Sequence, residues 1–187
     1  WLLIKLNHVL NKATDSFEEY ECSKAKQEIE NFFWNTFCDN YFEIVKDRLY
    51  NPDERGKNKR LSGQYTLYNS LLDILKIFAP IIPFVTEEIH DNYFAKAEKE
   101  KTIHKSKWPE PDPSLDDKDV EAVGDRFVEL LSGVRKYKSE KGKSLKEEVN
   151  ITLVSKDLDL LEDCMDDFKA ACKAKEVKSG KRFSVSF

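Results

Sequence analysis

The chain has 187 residues, 40% hydrophobic, 12% aromatic and 35% charged, which excludes disorder and fits one large or two small folded domains. Its 31 Lys and Arg against 35 Asp and Glu leave a net charge of −4, which excludes a histone-like cationic coating of nucleic acid. Cys22, Cys38, Cys164 and Cys172 lack the density of a secreted disulfide framework and the paired spacing of a zinc site, so a reducing, cytoplasmic setting is expected.

Apolar residues open the chain at Trp1 to Ile4 and are interrupted at Lys5, far short of a membrane span or signal core. The start at Trp1 instead of Met, directly on a helical pattern, is read as a piece of a larger protein. Leu2, Leu3, Leu6, Val9, Leu10 and Ala13 predict a first amphipathic helix that ends near Asp15 and Ser16. A long central helix is predicted from a cap at Ser23, with Ala25, Ile29, Phe33, Phe37 and Ile44 on one stripe and Trp34, Cys38, Tyr41, Val45 and Leu49 on another. Most of its six clustered aromatics, Phe32, Phe33, Trp34, Phe37, Tyr41 and Phe42, are expected in the core.

Loop chemistry at Asn51 to Gly56 leads into a third helix carrying Tyr65, Tyr68, Leu71, Leu72, Leu75 and Phe78. Pro80 breaks it, and Pro83 opens a fourth that presents Phe84, Ile89, Tyr93 and Phe94. Four helices with short connections make an antiparallel bundle. The proline-studded stretch from Trp108 to Pro113 places the domain boundary, giving a helical domain over 1–112 and a small α+β domain over 113–187. In the second, Ser114 caps a helix with Val120, Val123, Phe127, Leu130, Leu131 and Val134, and Val149 to Val154 alternates as a strand. Leu158 to Cys172 returns to helical spacing, and 176–178 with 182–187 reads as a terminal hairpin, for about three strands in a mainly α chain.

Charge is segregated along this framework. From Arg135 to Lys146 six bases meet Glu140 alone, from Glu54 to Arg60 four bases meet one acid, and Asp157 to Asp167 holds six acids and no base. Such runs read either as solvated helix ends and loops or as phosphate-facing edges. No glycine-rich phosphate loop is present, His8, His90 and His104 fall in three separate elements, and Cys164 and Cys172 read as core residues. No catalytic residue and no metal ligand is assigned.

Three strings carry a resemblance: WNTFCDNYFEIVKDRLY from Trp34 to Tyr50, YTLYNSLLDILKIFAPIIPFVTEEIHDNYF from Tyr65 to Phe94, and IHKSKWPEPD from Ile103 to Asp112. With the opening WLLIKLNHVL and the later VRKYKSEKGKSLKEEVNITLV, they resemble the anticodon-binding region of class I aminoacyl-tRNA synthetases, most closely the valyl-tRNA synthetases, over nearly the whole chain. The aromatic-Cys-Asp run with YFEIVK favours the valine branch over the isoleucine one. The HIGH and KMSKS signatures of amino-acid activation are absent, and KSEKGKS from Lys138 to Ser144 is only superficially like the second.

The resemblance implies recognition of the anticodon stem-loop of valine tRNA. ATP-dependent valine attachment, any editing and a first bundle helix would then lie upstream of Trp1, with no cofactor held by these residues. A monomer is expected. The tRNA-elbow contact of a C-terminal coiled-coil arm is not expected, since no long heptad pattern precedes Phe187. On this reading Arg55, Lys57, Lys59, Arg60, Arg135, Lys136, Lys138, Lys141, Lys143 and Lys146 contact the RNA backbone, and Lys46, Arg48 and Tyr50 contact bases. The alternatives are the equivalent region of an isoleucyl enzyme, a helical interaction module whose aromatic groove takes a partner helix, and a regulatory enzyme domain that never touches RNA.

Overall fold

A computed structural model describes residues 1–187. The chain is mainly helical with one three-stranded sheet and forms two compact units, each assembled from separated stretches of sequence. One unit comprises 2–39 and 61–117; the other comprises Trp1, 40–60 and 118–187. No helix is long and apolar enough to cross a membrane.

In the helical unit, α1 (Leu2–Glu18) buries Leu2, Ile4, Leu6, Val9, Leu10 and Ala13. It runs past the expected stop because Ser16, small and buried, continues its inner face. Tyr20 then takes a left-handed conformation, φ 60°, and Glu21 N–H donates to Ser16 O at 2.8 Å, which closes the turn into α2 (Cys22–Asn31). The helix therefore starts one residue before the expected Ser23 cap and has no side-chain cap. From Phe32 to Tyr41 the backbone is π-helical, and α3 (Phe42–Tyr50), which belongs to the sheet-bearing unit, continues it. The wider turns rotate the apolar face away from the 3.6-residue stripes. Phe32 and Phe37 are buried, Phe33 and Tyr41 half-buried, and Trp34 and Phe42 exposed, so fewer of the six aromatics are core than the stripes predict.

α5 (Lys57–Phe78) follows the single turn α4 (Pro52–Arg55) and buries Leu72, Ile74, Leu75, Ile77 and Phe78 from its second half; Tyr65, expected inside, is exposed. α6 (Pro83–Tyr93) has Pro83 in its first turn as expected, yet buries Thr86 and His90 while Phe84 and Tyr93 face out. Phe94, just past its end, is buried and lies 6.5 Å from the His90 ring. The turn α7 (Ala95–Glu98) follows, and Glu98 accepts from Tyr68 Oη at 2.7 Å. The proline-rich stretch is a strap laid on α1. Trp108 Nε1 donates to Thr14 Oγ1 at 2.8 Å, its ring meets Phe17 edge-on at 5.5 Å, and Asn7 exchanges two hydrogen bonds with the Asp112 backbone.

In the sheet-bearing unit, α8 (Lys118–Glu140) starts four residues after Ser114; the side chain that caps is Asp112, which accepts from Ser114 N–H in a preceding 3₁₀ turn. α8 contributes Phe127, Leu130, Leu131 and Val134 to a core shared with β1 (Val149–Leu153), whose Val149, Ile151 and Leu153 alternate inward. The predicted single helix after β1 is α9 (Ser155–Leu160), a 3₁₀ turn, and α10 (Met165–Cys172), which adds Phe168 and Cys172 to the core.

The terminal strands do not form the expected hairpin. β2 (Ala174–Ser179) pairs parallel to β1, β3 (Ser184–Ser186) pairs antiparallel to it, and the order is β2-β1-β3. The most apolar strand takes the centre because only that position covers both its edges, and α9 with α10 forms the crossover that parallel pairing requires. Gly180 allows the chain to leave β2 across the end of β1. Its N–H donates to Leu153 O at 2.8 Å, and a Cβ there would sit 2.3 Å from Thr152 Cγ2. Gly180→Val is expected to cost about 1–3 kcal/mol by overpacking against this stiff β-branched neighbour, read as a lower urea midpoint.

Candidate nucleic-acid interface

Within the sheet-bearing unit, α3, the C-terminal half of α8, the 141–148 turn and the end of α10 enclose a cleft of about 630 Å³. Its floor is apolar, from Leu131, Val134, Ala170, Ala171 and Cys172. Its rim carries Lys46, Tyr50, Arg135, Lys146 and Lys173, with Glu43, Asp47 and Asn51 beside them. Burial that favours the neutral thiol pushes Cys172 up to about 12, so this floor residue is an unreactive apolar surface at neutral pH.

The sequence-derived cations divide into two groups. Lys138 is 1% exposed; its Nζ donates to Leu145 O at 3.0 Å and Cys172 O at 2.8 Å, tying the basic turn to the end of α10. Burial lowers its pKa. Arg55 is held by three acids, with Nη2 donating to Asp167 Oδ1 at 2.7 Å, Nη1 3.0 Å from Asp166 Oδ2 and Nε 3.0 Å from Asp47 Oδ2. Arg48 makes a bidentate pair with Asp167, one arm at 2.9 Å from Nε to Oδ1. Arg48 and Arg55 thus have their charges met by acids inside the unit, and two of the three Lys138 donors are taken by backbone carbonyls.

The acidic run is the counter-charge the linear pattern concealed. Asp166 and Asp167 receive Arg48, Arg55 and Lys59, and Asp157 takes a bidentate pair from Arg126 with both arms at 2.8 Å. Burial works to raise Asp167, but the Arg48 and Arg55 hydrogen bonds outweigh it and hold the carboxyl below its ordinary range. The Arg126 hydrogen bonds hold Asp157 low against its own burial.

Lys57, Arg60, Lys136, Lys141, Lys143 and Lys146 are exposed. Lys136 sits 3.9 Å from Glu140, Lys141 lies over the Tyr137 ring at 5.9 Å and Lys143 over the Phe187 ring at 5.7 Å. Those two rings are themselves 5.5 Å apart. Arg135 Nη1 donates to Asn40 Oδ1 at 3.0 Å, which fixes its guanidinium at the rim. Lys46 pairs with Glu43 one turn away. Tyr50 is 77% exposed at the end of α3.

Sequence reasoning missed Lys173 and the Tyr137–Phe187 pair. Lys173 takes φ 55° at the end of α10, and the crossover that delivers it to the rim has no local sequence signature. Tyr137 lies inside the basic run and its aromatic character was available to be read. No group of three or more His, Cys, Asp or Glu side chains is placed to hold a metal ion.

The chain thus combines a helical unit with a unit that carries a small mixed sheet and a cation-rimmed apolar cleft. The chain belongs to the family of anticodon-binding domains of tRNA ligases, whose family model matches residues 1–153. It is 37% identical to the valine–tRNA ligase of Ehrlichia ruminantium (strain Welgevonden) over 186 residues, covering 98% of this chain and 22% of that protein. It is 35% identical to that of Clostridium tetani over 179 residues, 95% of this chain and 20% of that protein. With the valine–tRNA ligase of Haloarcula marismortui it shares 39% identity over 142 residues, 76% of this chain and 14% of the relative. The chain thus spans about a fifth of the length of the bacterial relatives it matches.

Proposed function

We propose that this chain recognises the anticodon stem-loop of valine tRNA as the anticodon-binding region of a cytoplasmic valine–tRNA ligase. The observation that carries the reading is the rim of Lys46, Arg135, Lys146 and Lys173 around an apolar floor, in a chain of this family. Lysine and arginine neutralise phosphates and supply affinity, while an aromatic ring and polar edges beside them engage unstacked loop bases. Lys57, Lys59, Arg60, Lys136, Lys141 and Lys143 extend the backbone-contacting set, and Lys46 and Tyr50 are the base-facing pair. ATP use and valine attachment belong to the catalytic region of the same polypeptide, which acts as a monomer. The relatives' shared name supports the valine assignment.

Titrating the chain with a valine-type anticodon stem-loop tests this directly. Affinity is expected to fall about 10²- to 10³-fold from about 50 to 200 mM salt, the loss for four or five neutralised phosphates. Absence of any stem-loop affinity at the lower salt would overturn the reading.

A further inference from the structure

We propose that a smaller cavity in the helical unit binds a single phosphate group between Lys76 and Lys107. None of its residues belongs to the cleft described above, and its ligand does not depend on what that cleft takes. The cavity measures about 160 Å³, roughly half the 300 Å³ at which sites for small organic ligands begin. It suits one tetrahedral oxyanion, and a whole nucleotide is too large for it.

Three segments build this cavity. Lys76 stands half-buried in the last turn of α5, Ala79 and Pro80 follow it at the junction with α6, and part of the 103–108 segment lines the other side. Hydrogen bonds hold that segment at both ends. Glu87 on α6 accepts from Thr102 Oγ1 at 2.9 Å and from Ile103 N–H at 3.0 Å, while Trp108 is pinned to Thr14. Between them Ile103 is buried with Leu72, Leu75 and Ala79. The cavity is therefore shaped in advance, which spares a ligand most of the cost of ordering it.

Its charge is one-sided. Lys76, His104 and Lys107 line the cavity and no carboxylate does, on a chain whose net charge is −4. Neither lysine is tied up in an ion pair within the protein. Asp73, the acid one turn before Lys76, is no substitute: burial pushes its carboxyl up, and the pull of Lys76 is the weaker effect. A cation at Lys76 also complements the carbonyl end of α5, but that role needs no Lys107. His104 is steered by Glu87, whose Oε2 lies 3.8 Å from its Nε2, and the Ser106 hydroxyl is committed to Glu100, so the two lysines carry the site. Ala79, Ile103 and Trp108 wall the cavity with apolar surface, where an ammonium–oxyanion contact is stronger than in open water. Each ammonium brings three donors and no acceptor, which matches a phosphate, an acceptor on every side, better than a flat carboxylate with two oxygens.

Calorimetric titration of the chain with inorganic phosphate, at fixed ionic strength in chloride, tests the site, with thermal midpoints in phosphate-free buffer as folding controls. Phosphate is expected to bind saturably at one site and to raise the midpoint. Lys107→Ala and Lys76→Met should each weaken binding about 10- to 100-fold, the loss of one charge-assisted contact. Lys101→Ala and Lys105→Ala, exposed in the same stretch but outside the cavity, should change it by less than about twofold. If Lys76→Met lowers the midpoint, Lys107→Ala decides alone. Whole valine tRNA then identifies the source of the group. Displacement of phosphate by the tRNA assigns a backbone phosphodiester, and simultaneous binding of both assigns free phosphate. Absence of saturable phosphate binding by the wild type would overturn the site, and so would equal losses in all four lysine variants, the mark of diffuse surface charge. Phosphate binding by a chain with no stem-loop affinity at low salt would remove the anticodon reading and leave this site standing.

Discussion

Asp167→Ala is expected to destabilise the sheet-bearing unit by about 3–5 kcal/mol, the usual cost of removing one partner from a buried ion pair. The Asp167 side chain is 1% exposed and accepts from both Arg48 and Arg55, whose own side chains are 26% and 10% exposed. Deleting the carboxylate leaves two poorly solvated guanidinium groups, and Asp47 and Asp166 can repair only the Arg55 side. The three chain segments concerned, α3, α4 and α10, lose their shared fastening. Urea unfolding measures the effect, and a change under about 1 kcal/mol would show that the clasp is an exposed pair of little worth. Acid supplies an independent reading. Because Asp167 and Asp157 both titrate below the ordinary 3.8 in the folded chain, the native state binds fewer protons than the unfolded one. Their contribution is complete above that ordinary value and is lost as pH falls through the lower folded value. Asp167→Asn should flatten this acid limb while leaving the slope above about pH 5 unchanged.

That clasp also shows where linear reading stops. The apolar periods of α1, α8 and β1 were legible, because each lays its buried residues at the spacing its own backbone dictates. The π-helical turns from Phe32 to Tyr41 change that spacing without any proline or glycine to announce it, so the aromatic cluster was assigned too deeply to the core. An alternating strand such as β1 shows which face is buried but not its neighbours, and the β2-β1-β3 order follows from a crossover, which is a tertiary fact. The basic runs were visible as charge. Whether a given cation meets a carbonyl, as Lys138 does 34 positions away at Cys172, or an aspartate, as Arg48 does 119 positions away at Asp167, is set by residues remote in sequence. The family strings reached the function because they register many such constraints together.

Reversing Lys141, Lys143, Lys146 and Lys173 to Glu together is expected to weaken stem-loop binding by more than about 100-fold at low salt, with the folded chain retained. All four are exposed, and their contacts, where present, are cation–aromatic ones of small energy. Surface changes of this kind shift stability by roughly 0.5 kcal/mol each or less. Lys138→Glu is the informative contrast. A carboxylate at that position would face Leu145 O and Cys172 O, three acceptors with no donor among them, and the cost of several kcal/mol falls on folding. RNA binding should therefore vanish in Lys138→Glu together with the cooperative melt, whereas the surface quadruple variant keeps its melt and loses its RNA. Residual affinity in the quadruple variant should respond less to salt, by about 0.7 to 0.9 in the logarithmic slope for each phosphate contact removed. A folded quadruple variant that still binds within twofold of wild type would assign these lysines to a solvated surface and move the phosphate contacts to Lys57, Lys59 and Arg60.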